Sequence, residues 1–370
     1  MILNKIKAFI KNETVFVISA IFAAATMFFV PPDKEYIGYI DFRVLCLLFC
    51  LMGVVAGFRN AGVFSTLTYQ LLNRIKNGRL LSVTLVLLPF FSSMLVTNDV
   101  ALIVFIPFTI ALLNKSDGRK SIVPVIVMQT VAANLGSMAT PIGNPQNLFL
   151  YSAYNLSFGE FAGVTLPLTA LSLFVLVAAA LPLLPAKPEV DGIKKESIND
   201  KKQLLIFLFL FALSILSVFR IVPYQITTAV TVVLLLITSR KLFKEIDFML
   251  LLTFVCFFII SENLGRLEIV RSFLQQLLEK STLFASIGTS QIISNVPAAV
   301  LLSAFTDNWK ELLAGVNIGG LGTPVASLAS LITLKLYMKT NGSKIIKFLA
   351  VFTVANVIGL SILSVFSILI

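Results

Sequence analysis

Long apolar runs separated by short polar stretches fill this chain. Nine of them have the length of a membrane span, at about 14–31, 42–58, 121–154, 161–185, 204–219, 222–239, 246–261, 311–337 and 345–369. A bilayer core of roughly 30 Å takes about 20 helical residues. Two further runs, 80–113 and 281–306, are too long for one span. Each is interrupted near its middle by a polar tripeptide, Thr97-Asn98-Asp99 in one and Ser294-Asn295-Val296 in the other. Irregular polar backbone at membrane depth is tolerated only where protein or a water-filled cavity surrounds it. Residues 60–77 and 263–280 mix apolar and polar positions and are predicted as amphipathic helices lying at the interface.

The charges choose between two spans and a hairpin for each broken run. Basic residues concentrate on the cytoplasmic side of membrane proteins. With the N-terminus inside and both broken runs folded back, only Lys34, Arg43, Arg220, Arg266, Arg271, Lys280 and Lys310 of the 29 basic residues remain outside. The first hairpin then has basic residues at both of its ends and opens inward. The pattern predicts an all-α polytopic membrane protein of about nine spanning helices plus two re-entrant hairpins and two broken helices. Its expected location is the plasma (inner) membrane with a cytoplasmic N-terminus. The first apolar run follows Lys5, Lys7 and Lys11 and lacks an A-x-A site, so it reads as a first span.

Composition agrees. The 370 residues are 58% hydrophobic and only 13% charged, against about 25% charged in soluble domains. That excludes an ordinary soluble enzyme, and the absence of His excludes imidazole-based triads and His-ligated metals. The net charge of +11 reflects loop orientation and implies no nucleic-acid partner. Cys46, Cys50 and Cys256 lie inside apolar runs and form no disulfide framework.

The chain repeats itself. Asn134-Leu-Gly-Ser-Met-Ala-Thr140-Pro141 aligns with Asn317-Ile-Gly-Gly-Leu-Gly-Thr323-Pro324, the tips align as Thr97-Asn98 with Ser294-Asn295, and Asp41-Phe42 aligns with Asp247-Phe248. The two copies enter the membrane from opposite sides, the inverted arrangement of many secondary transporters. The expected organisation is an N-terminal span and outer loop (1–40) and repeat one (41–186) with the inward-opening hairpin 80–113. A cytoplasmic linker with two bridging spans (187–245) follows, then repeat two (246–370) with the outward-opening hairpin 281–306.

Chemistry is expected at the interruptions. Thr97, Asn98, Ser294 and Asn295 stand where half-helices begin, so free N–H groups and a partial positive charge meet the polar side chains. The half-helices that end there offer carbonyls suited to sodium. At the second pair of breaks, Gly136, Gly319, Gly320 and Gly322 loosen the helix, Pro141 and Pro324 remove donors, and Thr140 and Thr323 supply hydroxyls. Asn144, Gln146 and Asn147 are very polar for a span and need partners or a cavity. Asp99 is the one ionisable residue expected near the midplane; it either couples a cation or proton, or caps the half-helix behind it. Glu262 reads as an interfacial residue.

The segments TNDVALIVFIP (97–107), NLGSMATPIGNPQN (134–147), SNVPAAVLL (294–302) and NIGGLGTPVASLAS (317–330) resemble the ion transporter superfamily. That group holds the citrate-transporter-like permeases, the divalent anion/sodium symporters and the arsenite permeases. The resemblance covers about 41–370. It implies that the two tips bind carboxylate and sodium, and that sodium also meets backbone oxygens near Gly136, Ser137 and Ala139 and near Gly319, Gly320 and Gly322. It further implies an elevator-like cycle, usually in a dimer. Asp99 and Val296 replace neutral hydroxyl residues of the divalent-anion pattern. An added carboxylate repels a dianion unless a cation or proton neutralises it.

The reading that follows is a secondary active transporter and not an enzyme: a sodium- or proton-coupled permease for a small carboxylate or inorganic oxyanion. The alternative is a sodium/proton antiporter or arsenite/metalloid extruder of the same superfamily. Thr97, Asn98, Thr140, Asn144, Asn147, Ser294, Asn295 and Thr323 are the expected substrate contacts. Asp99, Asn98, Asn295 and the backbone positions named above are the expected ion contacts. No cofactor is expected beyond Na+ or H+ as coupling ion. The partners are the anion, the lipid bilayer and a second copy of the chain in a homodimer.

Overall fold

The computed structural model describes residues 9–10, 13–72, 75, 77–114, 117–184 and 200–370. Lys5, Lys7, Lys11, Arg74, Lys76, Lys115, Lys187, Lys194, Lys195 and most of the expected linker lie outside the described residues. The described residues are helical with no strand. Each of the nine expected span segments carries a helix. Seven are continuous: Thr14–Met27, Phe42–Asn60, Phe158–Ala180, Lys201–Val218, Tyr224–Thr238, Phe248–Arg266 and Ile345–Leu369. Two are broken: Ile122–Ser137 with Pro145–Ala153, and Trp309–Ile318 with Leu328–Met338. The interfacial segments become Val63–Leu72 and Glu268–Lys280. The latter buries Leu278 and leaves Ile269 and Phe273 exposed, as an amphipathic surface helix should.

The first interrupted run folds into Gly78–Val96 and Asn98–Asn114, the second into Thr282–Ile293 and Asn295–Ser303. Gly78–Val96 is long and apolar enough to cross a membrane alone, yet it turns back at Thr97. Pro89 explains how the fold-back is held. Lacking an N–H, it leaves the Leu85 carbonyl free inside the helix. The Gln129 side chain donates to that carbonyl (2.8 Å) and also to Thr109 Oγ1 on the other arm (2.9 Å). Leu85 and Thr109 stand equally far before and after Thr97, so one amide clips both arms of a hairpin. In the second hairpin, Thr282 at its start and Ser303 at its end line one cavity.

The two hairpins pack reciprocally against the broken helices. Leu102, Ile106 and Ile110 of the first hairpin share a core with Ala329 and Tyr337, from the second half of the second broken helix. Val296, Ala298 and Ala299 of the second hairpin share a core with Leu148, Phe149 and Leu150, from the second half of the first broken helix. Each broken helix therefore begins beside its own hairpin, passes the middle, and ends beside the other one. Polar contacts tie the loops together. Arg43 donates to the Ser217 and Val218 carbonyls, and Arg220 to those of Tyr151 and Leu156. Arg59 pairs with Glu245, and Arg119 donates to the Asn341 carbonyl.

The repeat extends to backbone angles. Thr97 (φ 68°, ψ 148°) matches Ser294 (φ 78°, ψ 155°). Asn144 (φ −147°, ψ 146°) matches Ser327 (φ −141°, ψ 135°). Asp41 caps its helix by accepting from Val44 N–H, and Asp247 caps its own by accepting from Leu250 N–H.

Candidate transport site

The two hairpin tips and the two helix breaks meet in one buried polar centre. Thr97 and Ser294 sit in a backbone region that is almost reserved for glycine, and strain of this kind clusters at functional sites. Each tip is fixed by the same pair of bonds. Asn98 N–H donates to the Gly143 carbonyl (3.3 Å), and Asn295 N–H donates to the Ala326 carbonyl (2.9 Å). Thr140 Oγ1 donates to the carbonyl of Met94, three residues before the first tip (2.5 Å). Thr323 Oγ1 donates to the carbonyl of Gln291, three residues before the second (3.1 Å).

Side chains then lace the repeats together. Asn98 Nδ2 donates to Asn134 Oδ1 (2.9 Å), which also accepts from Ser327 Oγ (3.0 Å). Asn134 Nδ2 reaches the Gly320 carbonyl (3.4 Å). Asn317 Nδ2 donates to Asn147 Oδ1 (2.8 Å), and Asn147 Nδ2 to the Ser137 carbonyl (3.3 Å). Asn144 Nδ2 donates to Ser137 Oγ. These residues are buried. No Lys or Arg among the described residues joins this network, and the chain has no His. The charge available at the centre is that of helix ends. Helices begin at Asn98, Pro145, Asn295 and Leu328 and end at Val96, Ser137, Ile293 and Ile318. Neither Asn144, Ser294 nor Ser327 caps its own helix with its side chain. Free N–H groups suit anionic oxygen, and free carbonyls suit a cation.

The expected contacts divide into two kinds. Thr97, Asn98, Asn144, Ser294 and Asn295 stand at the convergence. Thr140 and Thr323 staple the breaks to the hairpins, which leaves only hydroxyl lone pairs for a ligand. Asn147 is held at both ends of its amide. Ser137 Oγ donates to the Asn134 carbonyl (2.8 Å), and Ala139 N–H to that of Gly136 (3.1 Å). The Gly319 carbonyl already accepts from Gln291 Nε2 (3.0 Å). Gly322, with φ 110°, donates its N–H to Asn356 Oδ1 (3.4 Å). Gly136 is present because a side chain does not fit: a Cβ there would lie 2.0 Å from the Phe90 carbonyl oxygen.

Asp99 stands one residue from the tip and bonds to the centre through its backbone alone. Its backbone N–H donates to Asn98 Oδ1 (2.9 Å), and its own Oδ1 is buried without a partner. Glu262 lies exposed at the surface.

Several contributors escape sequence reading. Gln291 donates to the Leu321 carbonyl (2.9 Å) as well as Gly319 and accepts from Thr323 N–H (2.8 Å), so one amide holds the whole second break. Asn134, Asn317 and Ser327 supply the cross-repeat bonds. Their signal was the repeat alignment itself, which marked both Asn residues without revealing their partners.

The sequence profile of the citrate transporter family matches residues 6–312. The chain belongs to that family. It is 35% identical over 305 residues to an uncharacterized transporter of Methanocaldococcus jannaschii, covering 82% of this chain and 83% of that one. It is 36% identical over 135 residues to a silicon efflux transporter of Oryza sativa subsp. japonica, covering 36% of this chain and 27% of that one. Its fold is similar to that of the YdaH transporter of Alcanivorax borkumensis. The TM-score is 0.56 at 15% identity, with 90% of this chain and 87% of that one covered. The chain is an integral membrane transporter with an all-helical fold.

Proposed function

We propose that this member of the citrate transporter family is a secondary active permease that carries a small carboxylate or inorganic oxyanion, coupled to Na+ or H+. One observation carries the reading. Two hairpins and two broken helices bring four helix N-termini and four C-termini to one buried centre that, among the described residues, holds no basic side chain. N-termini bind anionic oxygen, C-terminal carbonyls bind Na+, and a neutral wall leaves binding of one dependent on the other. That dependence is coupling in its simplest physical form. Thr97, Asn98, Ser294, Asn295 and Asn144 contact the solute, and the backbone near Ser137, Ala139, Gly319 and Gly320 contacts the ion. Asp99, whose Oδ1 is buried without a partner, is the second place a cation or proton would be taken.

The hairpins and broken helices form the moving body, and Phe42–Asn60, Lys201–Val218, Tyr224–Thr238 and Phe248–Arg266 form the frame against which it slides. The first hairpin opens to the cytoplasm, as the distribution of basic residues implies, and a homodimer through the frame keeps that frame fixed. A second reading, export of a neutral oxyacid, draws on the same absence of basic side chains and on the likeness to a silicon efflux transporter over about a third of the chain.

Uptake of labelled citrate, succinate and sulfate into proteoliposomes, with and without an inward Na+ gradient, tests the proposal. Gradient-driven accumulation of one of them is the expected result. No accumulation under Na+ or proton gradients counts against the anion reading. Asp99→Asn then separates the coupling roles: loss of proton dependence with binding retained marks Asp99 as the proton site.

A further inference from the structure

Three polar side chains stand in the first turn after the first break. Asn144 and Asn147 are staples, both anchored to Ser137, and Asn147 is also anchored to Asn317. Gln146 lies between them in sequence, is 1% exposed, and neither its Oε1 nor its Nε2 has a hydrogen-bond partner. Leaving both ends of a buried amide unpartnered is costly, and natural folds rarely keep such a group without a use for it. In the second broken helix, Asn317 Oδ1 and Ser330 Oγ are also buried and unpartnered. The fold itself does not require an amide at this place. Ala329, the equivalent of Gln146 in repeat two, is fully buried within an apolar core.

We infer that Gln146 is a solute-contacting residue that sets selectivity, a role resting on the reading of this centre as the transport site. Its amide presents an N–H donor and a carbonyl acceptor together. A solute that both donates and accepts, such as a protonated, hydroxylated oxyacid, satisfies both ends. A fully ionised dicarboxylate only accepts, and leaves the Gln146 carbonyl facing negative oxygen. Sites built to meet a solute hydroxyl discriminate strongly, because the unmatched solute leaves buried polar groups unpaired.

The test compares the full chain with Gln146→Leu and Asn147→Leu, purified in detergent and in proteoliposomes. The leucine at 146 keeps the volume and removes the unpartnered amide. Without any ligand it is expected to melt at or above the wild-type temperature, by about 2–4 °C, whereas Asn147→Leu melts below it. In uptake assays with arsenous acid and succinate as probes, Gln146→Leu is expected to lower kcat/KM for arsenous acid at least tenfold, mainly through KM. Succinate uptake should change less. If Gln146→Leu melts as low as Asn147→Leu, Gln146 is a structural staple and the inference is wrong. Wild-type KM values for both probes would overturn it equally. A wild type that carries neither probe counts against the transport reading instead, and the ligand-free melting comparison still decides whether Gln146 is structural.

Discussion

The two repeats share a backbone and differ in how side chains secure it. In the first, the break is held locally: Asn144 and Asn147 reach back to Ser137 across a single turn. In the second, the equivalent positions are Ser327 and Ser330, too short for that reach, and the holding is done from the hairpin by Gln291. Its counterpart in the first hairpin is Met94, which contributes only its carbonyl. What the repeats have in common is therefore the geometry that any solute site needs, the strained tips and the N–H bonds from Asn98 and Asn295. What differs is the chemistry: Asp99 against Val296, and Gln146 against Ala329. On the proposed reading, the asymmetric positions tune selectivity and coupling, and the symmetric ones build the shared frame of the site.

The sharpest way to break this comparison is at the paired glycines. A Cβ at Gly136 would stand 2.0 Å from a backbone oxygen of the first hairpin, whereas at Gly319 the nearest atoms are 2.8 Å away. Gly136→Ala is expected to cost on the order of 3 kcal/mol or more, and Gly319→Ala about 1–2 kcal/mol. Melting of the detergent-solubilised variants measures both. Equal effects would mean that the hairpin–helix crossing is not tighter in repeat one.

Next in size is the staple. Gln291→Leu leaves the Gly319 and Leu321 carbonyls and the Thr323 N–H without their partner, a loss of roughly 2–4 kcal/mol. Met94→Leu at the equivalent position should cost less than about 1.5 kcal/mol. Similar losses for the two would refute the division into local and hairpin-borne holding.

The smallest effect lies at the frame. The bond from Arg266 holds the Asp33 carboxyl below the ordinary carboxylate range. Its contribution is thus present above the ordinary carboxylate pKa and fades as pH falls through the lowered one. The pair is exposed, so the difference between wild type and Arg266→Gln should be slight at pH 7 and vanish in acid. A difference that grows on acidification would show that Arg266 acts through some other contact.

Much of this was legible in the sequence. The spans follow from apolar length, and the tips from polar tripeptides that no bilayer tolerates in isolation. The repeat follows from motifs such as Asn134…Thr140-Pro141 and Asn317…Thr323-Pro324. What local pattern cannot give is which polar groups are already engaged. Thr140 and Asn147 look as ligand-ready in sequence as Gln146 does. Their partners, Met94 and Asn317, lie on other elements, one of them in the other repeat. Gln291 was hidden for the same reason: on its own helix it is one polar residue in an apolar arm, and its function exists only because the second break folds beside it.

The central claim is that the two hairpins enter from opposite faces and meet at one centre. In a background with Cys46, Cys50 and Cys256 replaced, single cysteines at Arg79, Arg119, Lys280 and Asp307 can be labelled in sealed vesicles with an impermeant maleimide. Arg79→Cys and Arg119→Cys, flanking the first hairpin, should label from one side. Lys280→Cys and Asp307→Cys, flanking the second, should label from the other. Labelling of Arg79→Cys and Arg119→Cys from opposite sides would contradict the account, because the first hairpin would then cross the membrane and the centre would not form.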